Sequence, residues 1–319
     1  MKKIKSFLLY SIKKISGLLI SLRLHRLIPF RRKIYDFIFN KLWTGGDVIE
    51  IQGSKMYVGV KNEPDTMMRQ TLQTYALSST WEEDTTKLFE KVVKKGDIVV
   101  DMGANVGYFT LLSAKLTGEN GKVFSFEPNP KNFEYLSKNI KINNYTNVTA
   151  EQKAISNSSG KIKLFNCPYD TGHHTINQQE GIEAYRLGRT GEVSSIDIEA
   201  VTLDEYMKNK SDKVDVIKID VEGAEALAFM GMKDILAKNK NIKIFLEFFP
   251  LLIEKMGNSP EEFINYLLKE FNVFVIGHDY SMKKFNKNYF KINSYQELAE
   301  LTKGYADHLN LFLTKENNI

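Results

Sequence analysis

The sequence predicts an α/β fold: a mostly parallel, seven-stranded sheet with helices on both faces, preceded by an N-terminal helical and hairpin extension. Three observations carry this expectation. From Asp97 onward, short β-rich runs alternate with helical runs of ten or more residues, the signature of βαβ units. The runs at 98–100 and 214–219 are nearly continuously apolar, as strands buried on both faces must be. One of these runs ends in an acid, Asp101, and a glycine turn and a helix follow, which is how open α/β sheets build ligand sites at strand ends.

The elements follow in order. Val48–Ile51 and Met56–Val60 read as a hairpin around Gln52-Gly53-Ser54. A helix is expected after Pro64, and another from near Thr80 to Val93, stopped by Gly96. Strands at 98–100, 123–126, 148–154, 214–219, 242–248, 271–276 and 309–313 make the sheet. Helices at 106–116, 132–142 and 224–236 connect them. Ser259-Pro260-Glu261-Glu262 and Ser294 with Glu297 are capping boxes that open two late helices, the second closed by Gly304. A turn-rich Lys/Asn stretch at 283–293 precedes the last helix. Residues 157–195 form a long insertion with one strand, 161–165, and five glycines; loops of that length usually serve function. The expected organisation is a helical segment at 1–43, a hairpin and helix extension at 44–79, and the α/β domain at 80–319.

Charge divides the chain. The net +5 is the sum of a +10 segment, residues 1–43, and a −5 remainder. In the basic segment Ile4, Leu8, Ile12, Ile15, Leu19 and Leu22 share one helical face, and the lysines and arginines fall largely off it. Such a helix either lies on an anionic membrane surface or packs on its own domain with a solvated basic back. Its apolar runs are too short to span a bilayer. The acidic body has no basic stripe, so nucleic acid is not an expected partner. Cys167 is the only cysteine, which excludes an intrachain disulfide and a cysteine-based zinc site and fits a reducing, cytoplasmic compartment. With the arm, that places the protein in the cytoplasm or on the inner face of a membrane.

Two segments carry chemistry. The first is Val100-Asp101-Met102-Gly103-Ala104-Asn105-Val106-Gly107-Tyr108, in which Asn105 is a candidate helix cap. Glu127, in Phe126-Glu127-Pro128-Asn129-Pro130, follows twenty residues after Gly107, the offset at which an acid holds ribose hydroxyls. The glycine spacing is not that of a pyrophosphate cradle, and no lysine or arginine lies between 96 and 114. A carboxylate aimed into this turn suits an ammonium-bearing nucleoside such as S-adenosylmethionine. The second segment is Ile219-Asp220-Val221-Glu222-Gly223-Ala224-Glu225. Its acids could bind a divalent metal, act as a general base, hold a substrate, or simply complement a helix dipole. Glu247, between Leu246 and Phe248, is a further candidate, and His173 or His174 in the insertion could serve as a base. No P-loop, nucleophile elbow or H-E-x-x-H is present.

These segments, with Thr202-Leu203-Asp204, Leu246-Glu247-Phe248 and Asn310-Leu311-Phe312, resemble the FkbM family of S-adenosylmethionine-dependent methyltransferases over roughly 80–315. The resemblance implies a class I, Rossmann-like methyltransferase fold and methyl transfer to oxygen, often on a sugar or polyketide hydroxyl. It implies cofactor contacts from Asp101, Gly103, Ala104, Asn105, Gly107 and Tyr108, with Asp101 and Gly103 at the methionine end. Glu127, with Pro128 and Asn129, would hold the ribose. Ala154-Ile155-Ser156 would line the adenine, and Asp220 would border the transferred methyl group. Asp220, Glu222, Glu247, His173 and His174 are the catalytic candidates, and no metal is expected. Where the family often has a Gly-x-Ser-Ser/Thr-Leu-like stretch, this chain reads Gly172-His173-His174-Thr175-Ile176. The expected acceptor is a small molecule or glycan. The competing readings are a methyltransferase for RNA or protein and a nucleoside-binding module without catalysis.

Overall fold

The computed structural model describes residues 47–59, 80–165, 195–277, 289–302 and 308–316, with isolated positions at 11, 41, 68, 72, 73, 75 and 176. The basic segment at 1–43 and the helix expected after Pro64 lie outside the described residues except at Ser11, Lys41, Met68, Leu72, Gln73 and Tyr75, all helical, and Cys167, His173, His174 and Gly304 also lie outside them. The chain divides into two compact units, Met1–Thr80 and Trp81–Ile319.

In the first unit, β1 (Val48–Ile51) and β2 (Ser54–Tyr57) pair antiparallel, Ile51 opposite Ser54. Gln52 and Gly53 have φ of 51° and 74°, the paired left-handed geometry that two-residue hairpin turns need. The turn is therefore one residue shorter than the sequence suggests.

The second unit is built on an eight-stranded sheet of order β12-β11-β13-β10-β9-β3-β4-β5. Helix α1 (Glu83–Val92) leads into β3 (Ile98–Met102), α2 (Tyr108–Thr117), β4 (Lys122–Phe126), α3 (Pro130–Ile142) and β5 (Val148–Glu151). Then β9 (Val216–Ile219), α5 (Glu225–Met230), α6 (Lys233–Lys238) and β10 (Lys243–Phe248) run the opposite way across the sheet. The five strands from β10 to β5 are parallel. Right-handed crossovers leaving β3 and β9 in opposite directions place α2 and α3 on one face and α5 and α6 on the other. The far side is α7 (Pro250–Lys255), α8 (Pro260–Glu270), β11 (Asn272–Ile276), β12 (Tyr289–Ile292), α9 (Tyr295–Thr302) and β13 (Leu309–Thr314). Strand β13 is antiparallel to both β10 and β11.

The strands are apolar because both faces are covered: Val100, Met102, Ile217, Ile219, Ile244 and Leu246 are buried on one face, and Val99, Val216 and Phe245 on the other. The late helices start where the capping boxes put them, with the Ser259 hydroxyl accepting from Glu262 N and Ser294 from Glu297 N. Asn129 caps α3 by accepting from the amides of Lys131 and Asn132.

Four further expectations need correction. The sheet has eight strands rather than seven, because the Tyr289–Ile292 end of the turn-rich stretch pairs with β11 as an added edge. The run 148–154 is two strands. Beyond Gln152, β6 (Lys153–Ile155) leaves the main sheet and joins a separate one with β7 (Gly160–Phe165) and β8 (Ser195–Val201), followed by α4 (Leu203–Met207). The helix 224–236 breaks at Gly231-Met232, where a Cβ on Gly231 would stand 2.1 Å from the Ser156 carbonyl oxygen. Asn105 does not cap α2; the N-cap is Gly107 at φ 101°, and no side chain serves it.

Candidate active site

The order of strands reverses between β3 and β9, and the crevice beyond their carboxyl ends is where such sheets bind ligands. Met102 stands opposite Ile219 there, so the turn at 103–107 and the loop at 220–225 are neighbours.

The first turn is folded back on β4. The amides of Gly103 and Ala104 both donate to the Phe126 carbonyl at 2.9 Å. Glu127 fastens it: Asn105 N donates to Oε2 at 2.7 Å and Asn129 N to Oε1 at 2.8 Å. Burial raises the Glu127 carboxyl to about 7 against these amide bonds. Asp101 is buried, and Thr110 donates its hydroxyl to Oδ2 at 2.6 Å. Burial raises Asp101 also, with Lys218 and Thr110 opposing. Tyr108 turns its hydroxyl to Trp81 N (3.1 Å) and Thr86 Oγ1 (3.2 Å). Gly107 lets α2 approach Leu136 of α3. Ala154 packs among Leu164, Ile198 and Ala200 of the small sheet. Buried Ser156 donates its amide to Val201 O, and Pro128 is half-buried.

The second cluster lies at the ends of β9 and β10. Asp220 Oδ2 accepts from Lys218 Nζ at 2.9 Å, and the Lys218 side chain is 5% exposed. This ammonium also lies 4.7 Å from the centre of the Phe109 ring. Asp220, Glu222 and Glu247 bring one carboxylate oxygen each to within 4.8 Å of one another. Burial works to raise Asp220, but Lys218, a hydrogen bond from Glu247 and His308 outweigh it and hold the carboxyl below its ordinary value. Burial and then the Asp220 charge push Glu247 well above its own. Like charges this close divide into one ionised and one protonated group. Glu222 is buried in a left-handed backbone conformation, φ 50°. Glu225, at the start of α5, accepts from Gly223 N at 3.0 Å and is raised to about 8 by burial, which makes it a brace for this loop.

Oxygen donors in this number suit a divalent ion. The Lys218 ammonium already meets the charge of Asp220, and carboxyls grouped this closely can also take up and release a proton. Sequence reasoning missed four contributors: Lys218, Glu82, His308 and Asn310. Glu82 accepts from Trp81 Nε1 (3.1 Å) and Asn310 Nδ2 (2.8 Å). His308 Nε2 lies 3.3 Å from Glu247 Oε1. Lys218 had a signal, a charge inside an otherwise apolar strand, and Asn310 had one in the Asn310-Leu311-Phe312 stretch of the family resemblance; Glu82 and His308 had none.

A sheet of this order, with an acid-anchored glycine turn at its switch point, has the class I, Rossmann-like fold, and the FkbM domain match makes it a methyltransferase fold whose cofactor is S-adenosylmethionine. Residues 101–280, more than half of the chain, match the model of the methyltransferase FkbM domain, and the chain belongs to that family. Methyltransferase sdnD of Sordaria araneosa is 30% identical over 157 residues, covering 43% of this chain and 60% of that protein. Hexuronic acid methyltransferase AglP of Haloferax volcanii is 28% identical over 157 residues, covering 49% of this chain and 58% of that protein. The chain thus spans about three-fifths of the length of these relatives. The solved methyltransferase FkbM from Methylobacillus flagellatus KT is 14% identical with a TM-score of 0.39, covering 80% of this chain and 56% of that one.

The residues present fit the cofactor. Asn105 Oδ1 is buried without a hydrogen-bond partner among the described residues, an acceptor at the turn where the ammonium-bearing end would lie. Glu127 stands at the tip of β4 with lone pairs beyond the two its amides use.

Proposed function

We propose that the protein is an O-methyltransferase acting on a hydroxyl of a sugar, polysaccharide or glycolipid. One observation carries this reading: a buried ammonium, Lys218, holds Asp220 ionised beside Glu247, next to the turn fitted for the cofactor. A sugar hydroxyl is a poor nucleophile near neutral pH and needs a base placed to receive its proton. S-adenosylmethionine, when bound, supplies a methyl group on a sulfonium leaving group. This chain's residues do the rest. Glu127 and Asn105 orient the nucleoside, and the 220–225 loop holds the acceptor oxygen in line, which accounts for a large part of the rate. Kinship with a hexuronic acid methyltransferase supports the sugar class.

The +10 segment at 1–43 extends the proposal to an anionic membrane surface on which a glycolipid acceptor would be met. No helix among the described residues is long and apolar enough to cross a membrane. Mass spectrometry of cell-envelope glycans with and without the protein tests the main reading. Loss of a methylated sugar supports it, and an unchanged methylation profile overturns it. Deleting residues 1–43 should release the protein from anionic liposomes while S-adenosylhomocysteine binding persists.

A further inference from the structure

The family match ends at residue 280, yet the acidic cluster is completed from beyond it. His308 precedes β13, and its Nε2 lies 3.3 Å from Glu247 Oε1. Its ring rests against Phe249, 5.4 Å between centres, so the imidazole is packed in place and only 17% of its side chain is exposed. A Glu247 carboxylate oxygen lies within 4.8 Å of one of Asp220, which in turn is held by Lys218. The four side chains form one chain of contacts from the centre of the sheet to its β13 side.

We propose that Asp220 and Glu247 act as a single proton-sharing carboxyl pair that receives the proton of the acceptor hydroxyl, and that His308 is the positioning residue that turns Glu247 toward Asp220. The role in transfer rests on the O-methyltransferase reading; the shared proton does not. An Nε2–H donated by His308 occupies one Glu247 oxygen. The carboxyl proton is then presented on the other, to Asp220. During transfer the acceptor oxygen bonds to the methyl carbon, and its proton passes to Asp220. The electron pair of the broken carbon–sulfur bond stays on sulfur, leaving S-adenosylhomocysteine. The charged groups facing the pair are Lys218 on β9, Asp101 on β3, Glu127 at the tip of β4, Glu222 in the loop, Glu225 at the start of α5, Glu82 before α1, and His308. Burial and the Asp220 charge keep the pair's proton on Glu247.

The test is a carbon-13 carboxyl NMR titration of the full chain saturated with S-adenosylhomocysteine, labelled at Asp and Glu. Wild type should show Glu247 titrating far above Asp220, each signal assigned by E247Q and D220N. His308→Phe keeps the ring on Phe249 and removes the donor. It should draw the two titrations together by about one pH unit, a tenfold change in proton affinity. His308→Gln, which retains a donor, should restore most of the separation. Unchanged S-adenosylhomocysteine affinity in both variants shows that the fold is intact. A Glu247 that titrates as an ordinary carboxylate overturns the pair, and an unchanged separation in H308F overturns the positioning role. Transfer from radiolabelled S-adenosylmethionine to neutral and uronic methyl glycosides is followed in parallel. Its pH profile should move with the NMR titration in H308F. Normal titrations without methylation of any hydroxyl overturn the O-methyltransferase reading and the pair's role in transfer, and leave the shared proton standing.

Discussion

Gly103 and Asp220 meet backbone to backbone. A Cβ on Gly103 would stand 1.8 Å from the Asp220 carbonyl oxygen, and the residue's φ of +80° is one that side chains rarely adopt. The Asp220 amide in turn donates to the Met102 carbonyl at 3.0 Å. The cofactor turn and the acidic loop are therefore one rigid piece, and the position of the proposed base is set by a missing side chain.

Gly103→Ala should be among the most damaging single changes in the protein. It adds backbone strain and overpacking at a place where neither partner can retreat, costing about 3 kcal/mol or more. A urea titration measures the loss. The same variant should lose S-adenosylhomocysteine binding, since the turn and Asp220 would both shift.

Lys218→Met should uncover the electrostatic design. Its ammonium is buried, and the surrounding carboxylates of Asp220, Glu82, Asp101 and Glu247 raise its pKa above the ordinary value of 10.5 against the effect of burial. A raised lysine stabilises the fold fully below its unfolded value and loses that contribution only as pH rises past the folded one. Asp220 is lowered, so its share is present above 3.8 and is lost as pH falls through its folded value. The gap between wild type and K218M should thus be widest near neutrality, about 3 kcal/mol by the cost of orphaning a buried charge, and should close in acid. Thermal melts at a series of pH values measure it.

Glu127 should make cofactor binding pH-dependent. Its carboxyl is raised from 4.5 to about 7, so its stabilising contribution is full below 4.5 and is lost as pH rises through about 7. The ionised form is the better acceptor for ribose hydroxyls. Affinity for S-adenosylhomocysteine should therefore weaken as pH falls below that value, approaching about tenfold per unit, and fold stability should move the opposite way. Glu127→Gln should flatten both dependences, read by calorimetry between pH 5.5 and 8.5.

The sheet was legible because its strands are buried on both faces, so 98–100 and 214–219 had to be continuous in apolar character. What interrupts a run was less legible. Beyond Gln152 the chain leaves the main sheet to pair with β8, and the kink at Gly231 lies against the Ser156 carbonyl; both partners are distant in the chain, and local sequence does not record them. Asn105 looked like a cap because its type and position suit one, yet Glu127 recruits its amide and leaves Gly107 to begin the helix. Asp220, Glu222 and Glu247 announced themselves by standing at strand ends or amid apolar neighbours. His308 and Glu82 lie far from them in the chain and reach the site through strand pairing and packing, which no motif encodes.

Asp220→Asn should separate chemistry from binding. The amide keeps the side chain's size and still accepts from Lys218 Nζ, so the loop and the cofactor turn should stay in place. Affinity for S-adenosylhomocysteine should remain within about threefold of wild type. Turnover should fall by about a hundredfold or more, the usual contribution of a positioned base. Because Lys218 already meets the charge of Asp220, addition of EDTA to the wild-type protein should leave its rate unchanged. Wild-type turnover in D220N would remove Asp220 from the chemistry. An EDTA-sensitive wild-type rate would assign the acidic cluster to a divalent ion instead.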